Sequence, residues 1–160
     1  MGHMAFDDLQ AEIRAERERD RRAAQVEADV AAGRQAREEQ IWLDSLAALD
    51  VAARDIARIC RKVGCPADIR GWLGLRSGWV FDIPTPARRI TVLVWRGGSW
   101  ERVSGSKFAS TDPAQILRRG EVVRLSEPLT VEMVCEVVEP QIKQRALGEA
   151  YSWHYIDTSR

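Results

Sequence analysis

Residues 42–63 have the sequence WLDSLAALDVAARDIARICRKV, and this stretch decides the fold. Its apolar residues recur in steps of four and three, which is the a/d spacing of a coiled coil over three heptads. A helix with such a seam must bury it, either against a second copy of the helix or against the rest of its own chain. The sequence leaves both alternatives open for the seam, which consists of Trp42, Leu46, Leu49, Ala53, Ile56, Cys60 and Val63.

The helix is predicted to begin far ahead of the seam. Residues 5–63 contain no proline and a single glycine, Gly33, and are rich in Ala, Arg, Glu and Gln. This composition predicts one long helix or two nearly collinear ones. In its first part charges of both signs alternate, and the apolar start at Phe6, Leu9 and Ile13 continues onto Glu16, Asp20 and Glu27. We therefore expect a solvated helix there and not a self-standing coiled coil.

Gly64 followed by Pro66 predicts the end of the helix, since glycine favours the position after a helix and proline cannot continue it. The predicted domains are a helical arm, residues 1–64, and a small body, residues 65–160. In the body we predict strands over residues 78–83, 89–95, 99–104 and 121–125, with a hairpin turn at residues 96–98. Helices are predicted over residues 111–119 and 129–147, the second bent near Pro140 and stopped at Gly148.

Two shorter stretches complete the predicted body. Residues 66–75 are predicted as a short helix or irregular chain, and Tyr151, Trp153 and Tyr155 alternate along a final extended segment. The expected fold class is α+β, in which a long N-terminal helical arm precedes a small antiparallel sheet with one or two packed helices.

Composition and the number of cysteines indicate the cellular compartment of this protein. The 160 residues carry 24 basic and 24 acidic side chains, and no apolar run reaches the length that a bilayer requires. Met1, Gly2 and His3 resemble a cloning remnant, and no signal peptide follows Met4. Three cysteines form an odd set without a disulfide framework. These features predict a cytoplasmic protein that does not bind membranes.

Residues for catalysis or metal binding are sparse. His154 is the one histidine beyond the remnant, so a serine or cysteine nucleophile has few possible bases. Cys60, Cys65, Cys135 and His154 lack the close pairs of a structural zinc site, and buried packing explains the cysteines better. We expect no enzyme activity, no metal and no cofactor.

The sequence favours a non-enzymatic protein–protein interaction or assembly factor. The helical arm would form a homodimer, or bind a partner protein's helix, through Trp42, Leu46, Leu49, Ala53 and Ile56. The body would present a recognition surface around Trp79, Trp95 and Trp100.

The alternative is a DNA-binding regulator that uses the arm to dimerise. Residues 56–73 have the outline of a helix-turn-helix, with Gly64 in the turn and a second helix started by Pro66. Arg58, Arg61, Lys62 and Arg70 would contact the nucleic acid.

Overall fold

The computed structural model describes residues 2–70, 76–85, 89–104, 115–117 and 122–148, with side chains from residue 6 onward except at Ser104 and residues 115–117. Its elements confirm the predicted α+β class, a long N-terminal helix followed by an antiparallel sheet and a packed helix. In chain order they are α1 (Gly2–Lys62), β1 (Ile69–Arg70), β2 (Ser77–Pro84), β3 (Arg89–Trp95), β4 (Trp100–Ser104), β5 (Gln115–Leu117) and α2 (Val131–Ala146).

Helix α1 ends where the sequence predicts. Gly64 adopts a left-handed backbone with φ of 69°. The Cys65 N–H donates to the Cys60 carbonyl at 2.8 Å, and the Gly64 N–H donates to the Arg61 carbonyl at 3.3 Å. These two bonds form a Schellman motif, which satisfies carbonyls that a helix end otherwise leaves without partners.

The sheet has the order β1-β2-β3-β4-β5, and all its pairings are antiparallel. The predicted hairpin between β3 and β4 is confirmed: Trp95 N–H donates to the Ser99 carbonyl at 2.8 Å, and Gly98 has φ of 94°. Side chains alternate between the two faces of the sheet. Trp79 and Phe81 join the core shared with the helices, whereas Val80 belongs to a smaller apolar cluster.

The main core lies between the sheet and the two helices. The seam half of α1, strands β2 to β4 and the inner face of α2 contribute most of its buried side chains. Gln141 fixes α2 to β2, because its side chain accepts from the Asp82 N–H at 3.0 Å and donates to the Asp82 carbonyl at 2.7 Å. Ser45 joins α1 to the chain before α2 by accepting from the Leu129 N–H at 2.9 Å.

Helix α2 confirms the prediction made for residues 129–147. Thr130 is its N-cap and accepts from the Met133 N–H at 3.2 Å. Gly148, with φ of 74°, follows its last turn, and Pro140 lies inside it.

Two predictions in the body are wrong. Residues 115–117 form strand β5 and not part of a helix, because Ile116 pairs with Val103 of β4 and extends the sheet. Residues 122–125 form no strand, although Val123 and Leu125 are buried in the core. The predicted helix start at residues 111–114 and the segment from Tyr151 to Tyr155 lie outside the described residues.

The chain divides into two compact units, residues 1–39 and residues 40–160. The seam half of α1 belongs to the second unit, because its side chains share a core with the sheet. The first unit consists of helix alone, and every residue from 6 to 37 is exposed.

Candidate functional site

The predicted interface residues lie in the core of their own chain. Trp42, Leu49, Ala53 and Ile56 are buried with residues of the sheet and α2, and Leu46 is half-buried against the same cluster. In the structure the seam therefore packs against the body of its own chain, which is one of the two alternatives that the sequence leaves open. The four buried side chains, each at most 3% exposed, have almost no surface to offer a second copy.

The exposed segment, residues 6–37, has no such packing. Its apolar side chains Phe6, Leu9, Ile13, Val26 and Val30 are all exposed, Phe6 at 67%. Its stabilising contacts are helical neighbours, such as the Glu18–Arg22 ion pair at 3.1 Å. Such exposed pairs contribute only about 0.2–0.5 kcal/mol each. The exposed apolar side chains of this segment thus have no packing partner among the described residues.

A second apolar surface lies between the two helices of the body. The C-terminal turns of α1 and the outer side of α2 enclose an open groove of about 440 Å³. Ile56 and Ile142 are buried, whereas Ile59, Val63 and Leu147 are exposed on large parts of their surface. The residues that form its apolar lining include Ile56, Ile59, Val63, Cys135, Ile142 and Leu147.

The charges in this groove change sign along its length. Asp55 lies near Cys135 at one end, where its carboxylate raises the pKa of the Cys135 thiol. Toward the other end, Cys65 Sγ lies 3.9 Å from the Ile142 carbonyl. Helices α1 and α2 therefore run in the same direction along the groove. The lining charges follow this direction, with Asp55 and Glu139 first and Lys143 closer to the end of α2.

The three cysteines differ in access. Cys60 and Cys65 are buried, and Cys135 is half-buried in the groove. Burial raises the pKa of Cys60 to about 12, helped by the neighbouring Cys65 thiol. Burial also raises the pKa of Cys135, and the Asp55 and Glu132 carboxylates add to this effect. The Arg145 guanidinium lowers the pKa of Cys60 and of Cys65, but burial raises both by more, so the reactive thiolate form is disfavoured.

The helix-turn-helix outline is wrong in its described part. Residues 66–68 are not helical, and Ile69–Arg70 forms strand β1, which pairs with β2. Strand pairing prevails because it satisfies backbone groups that the short predicted helix leaves open. Residues 71–73 lie outside the described residues.

The four basic residues assigned to nucleic acid are all exposed, on different elements. Arg58 is paired with Asp55 at 2.8 Å, Arg61 donates to the Arg96 carbonyl, Lys62 ends α1, and Arg70 lies on β1. Their use in DNA binding stays a prediction.

The tryptophans of the body form no recognition surface, contrary to prediction. Trp79, Trp95 and Trp100 are buried. Their indole N–H groups are satisfied internally, and that of Trp100 donates to Asp50 at 2.7 Å. Alternation along the strands turns these large side chains inward, which is the usual arrangement of a sheet with packed faces.

Sequence reasoning missed the groove. The sequence places Val63 in the apolar seam, which is expected to be covered, and α2 carries a broad apolar stripe of its own. The sequence does show that the apolar faces of α1 and α2 are both wide. Two helices that pack such faces on one sheet can leave part of each face uncovered, and this could have indicated a groove.

In the described part of the chain, no cluster of three His, Cys, Asp or Glu side chains is arranged to hold a metal ion. No described helix combines the length and apolar character needed to span a membrane. Comparisons with family models, curated proteins and solved structures find no match to this chain.

Proposed function

We propose that this protein is a non-enzymatic protein–protein interaction or assembly factor, and that its helical arm mediates self-association or binds a partner helix. The observation that carries the proposal is the exposed segment, where a long helix with exposed apolar side chains has no packing partner among the described residues. Because helices in proteins gain most of their stability from packing, a long exposed helix is best explained by contacts with another chain.

The interaction surface differs from the predicted one. The seam residues are occupied in the core, so the arm has its exposed residues to offer, and Phe6, Leu9 and Ile13 lie at i, i+3 and i+7. This spacing is typical of an amphipathic helix that inserts one face into an apolar groove.

Site-specific photo-crosslinking in cells tests the proposal. A photoreactive phenylalanine analogue in place of Phe6 should yield a product heavier than one chain. The same analogue in place of Val122, an apolar residue of the body that is also exposed (47% against 67% for Phe6), is the control. Mass spectrometry of the product tells a second copy from another protein. If Phe6 and Val122 give the same products, or neither gives any, the arm is not an interaction element.

A further inference from the structure

The groove and the start of the arm match in length. Phe6 and Ile13 are seven residues apart on a helix, as are Ile56 and Val63 of the groove wall. At 1.5 Å per residue each span is about 10 Å. A helix carrying Phe6, Leu9 and Ile13 on one face can therefore place its anchors along the wall between Ile56 and Val63.

Charge favours one direction for that helix. In the arm, Asp7 and Asp8 accompany the first anchor, and Arg17 lies one turn beyond the last. Laid antiparallel to α1 and α2, the arm brings its acidic start toward Lys143 and Arg17 toward Asp55. The antiparallel direction also places the positive N-terminal end of the arm beside the negative C-terminal ends of the groove helices.

We propose that the groove of one copy binds residues 6–17 of the helical arm of a second copy, antiparallel to α1 and α2. The inference rests on the proposed function and specifies it, since it names the partner as a second copy and its site as the groove. Phe6, Leu9 and Ile13 are the anchors, and the Arg17–Asp55 pair sets the direction.

Sedimentation equilibrium of the full chain tests both sides of the contact. Ile59→Glu places a charge in the groove and should raise the dimer dissociation constant at least roughly tenfold, because the arm cannot cover a charge without a partner. Val51→Glu is the matched control, since Val51 is exposed to a similar degree on the same helix (41% against 44%) but does not line the groove. It should leave the mass unchanged.

The arm is tested in the same way. The triple variant Phe6→Gln, Leu9→Gln and Ile13→Gln keeps good helix formers but removes the anchors, and it should sediment as a single chain. Val26→Gln with Val30→Gln removes two other exposed apolar residues of the arm and should still dimerise. A mixture of the triple variant with Ile59→Glu should form a mixed dimer, because it retains one intact arm and one intact groove.

Charge exchange tests the direction. Arg17→Glu and Asp55→Arg should each weaken the dimer, and the two changes together should restore it. If instead the single changes are silent or the double variant is no tighter than either, the antiparallel arrangement is wrong.

Alkylation of Cys135 by N-ethylmaleimide gives a second readout inside the groove. Cys60 and Cys65 are buried, so Cys135 should react first. Its reaction should be slower in the wild-type dimer than in the triple arm variant, since a bound arm covers it. Equal rates would contradict occupancy of the groove.

The outcomes separate this inference from the proposed function. If the wild type dimerises but Ile59→Glu and the triple variant retain the wild-type mass, the groove is not the site, while self-association stands. If the wild type sediments as one chain at every concentration, the second copy is excluded as occupant, and the crosslinking at Phe6 decides whether another protein binds the arm.

Discussion

The guanidinium of Arg145 holds the carboxylate of Asp68, with Nε 2.9 Å from Oδ2 and both side chains almost completely buried. Arg145 also donates to the Gln141 carbonyl at 2.9 Å and to the Val80 carbonyl, so one side chain joins α2, β2 and the segment after α1. Burial raises the pKa of Asp68, against the effect of the arginine and of the Val80 N–H. Without its partner, either charged side chain would therefore be buried and unpaired.

Removing one member should be costly. Arg145→Met keeps most of the volume but leaves a buried carboxylate unpaired, and we expect a loss of about 3–5 kcal/mol in the free energy of unfolding. The double variant Arg145→Met with Asp68→Asn should lose less, because no buried charge remains and Asn can still accept from Val80. Urea denaturation measures both. A single variant as stable as the wild type would show that the pair contributes nothing.

The position of the seam in the core predicts a difference between two leucines of α1. Leu49 is 3% exposed and Leu43 is 57% exposed. Leu49→Ala should lower the free energy of unfolding by about 2–5 kcal/mol through the cavity it leaves. Leu43→Ala on the same helix should change it by less than about 0.5 kcal/mol. Equal effects in urea denaturation would mean that the seam is not packed as described.

Because the seam is packed in the core, the double variant Leu46→Asp with Leu49→Asp should report on folding and not on the oligomeric state. If the seam joined two chains, this double variant would alter the oligomeric state. Because the seam lies in the core, we expect unfolding of the body, seen as loss of cooperative melting in near-ultraviolet circular dichroism. A folded double variant that differs only in mass would restore the dimer-seam interpretation.

Stability should fall at alkaline pH through Cys60. Its pKa rises from 9.0 to about 12 on folding, so the folded protein keeps a proton that the unfolded chain loses. The contribution is complete below pH 9.0 and decreases as pH rises toward about 12, by at most about 1.4 kcal/mol per pH unit. Urea denaturation of wild type and Cys60→Ala on both sides of pH 9.0 isolates this effect from other groups. Parallel pH profiles would contradict it.

Binding to duplex DNA should be absent at low salt. The predicted second helix is replaced by strand β1, and the Arg58 guanidinium is already paired with Asp55. Filter binding at two salt concentrations checks this expectation, because a true nucleic-acid contact weakens steeply as salt rises. Salt-sensitive binding that is lost in the variant Arg61→Gln with Lys62→Gln would support the regulator instead.

Much of the fold was predictable from local patterns. The end of α1 follows from Gly64, strand β3 from a run of β-branched residues, and α2 from its cap at Thr130 and its stop at Gly148. Residues 115–117 and 122–125 were not predictable in this way. Their state depends on pairing with β4 and burial in the core, which are contacts with distant parts of the chain.

The candidate site was less predictable from the sequence than the fold. The sequence by itself determined that the chain has a long charged helix with an apolar seam, since helix propensity and periodicity are local properties. Only the tertiary structure decided that the seam faces the chain's own sheet, and that Ile59, Val63 and Leu147 remain beside an open groove. The reason is physical: periodicity shows that a face must be buried, but the shape and position of neighbouring elements select what buries it and how completely.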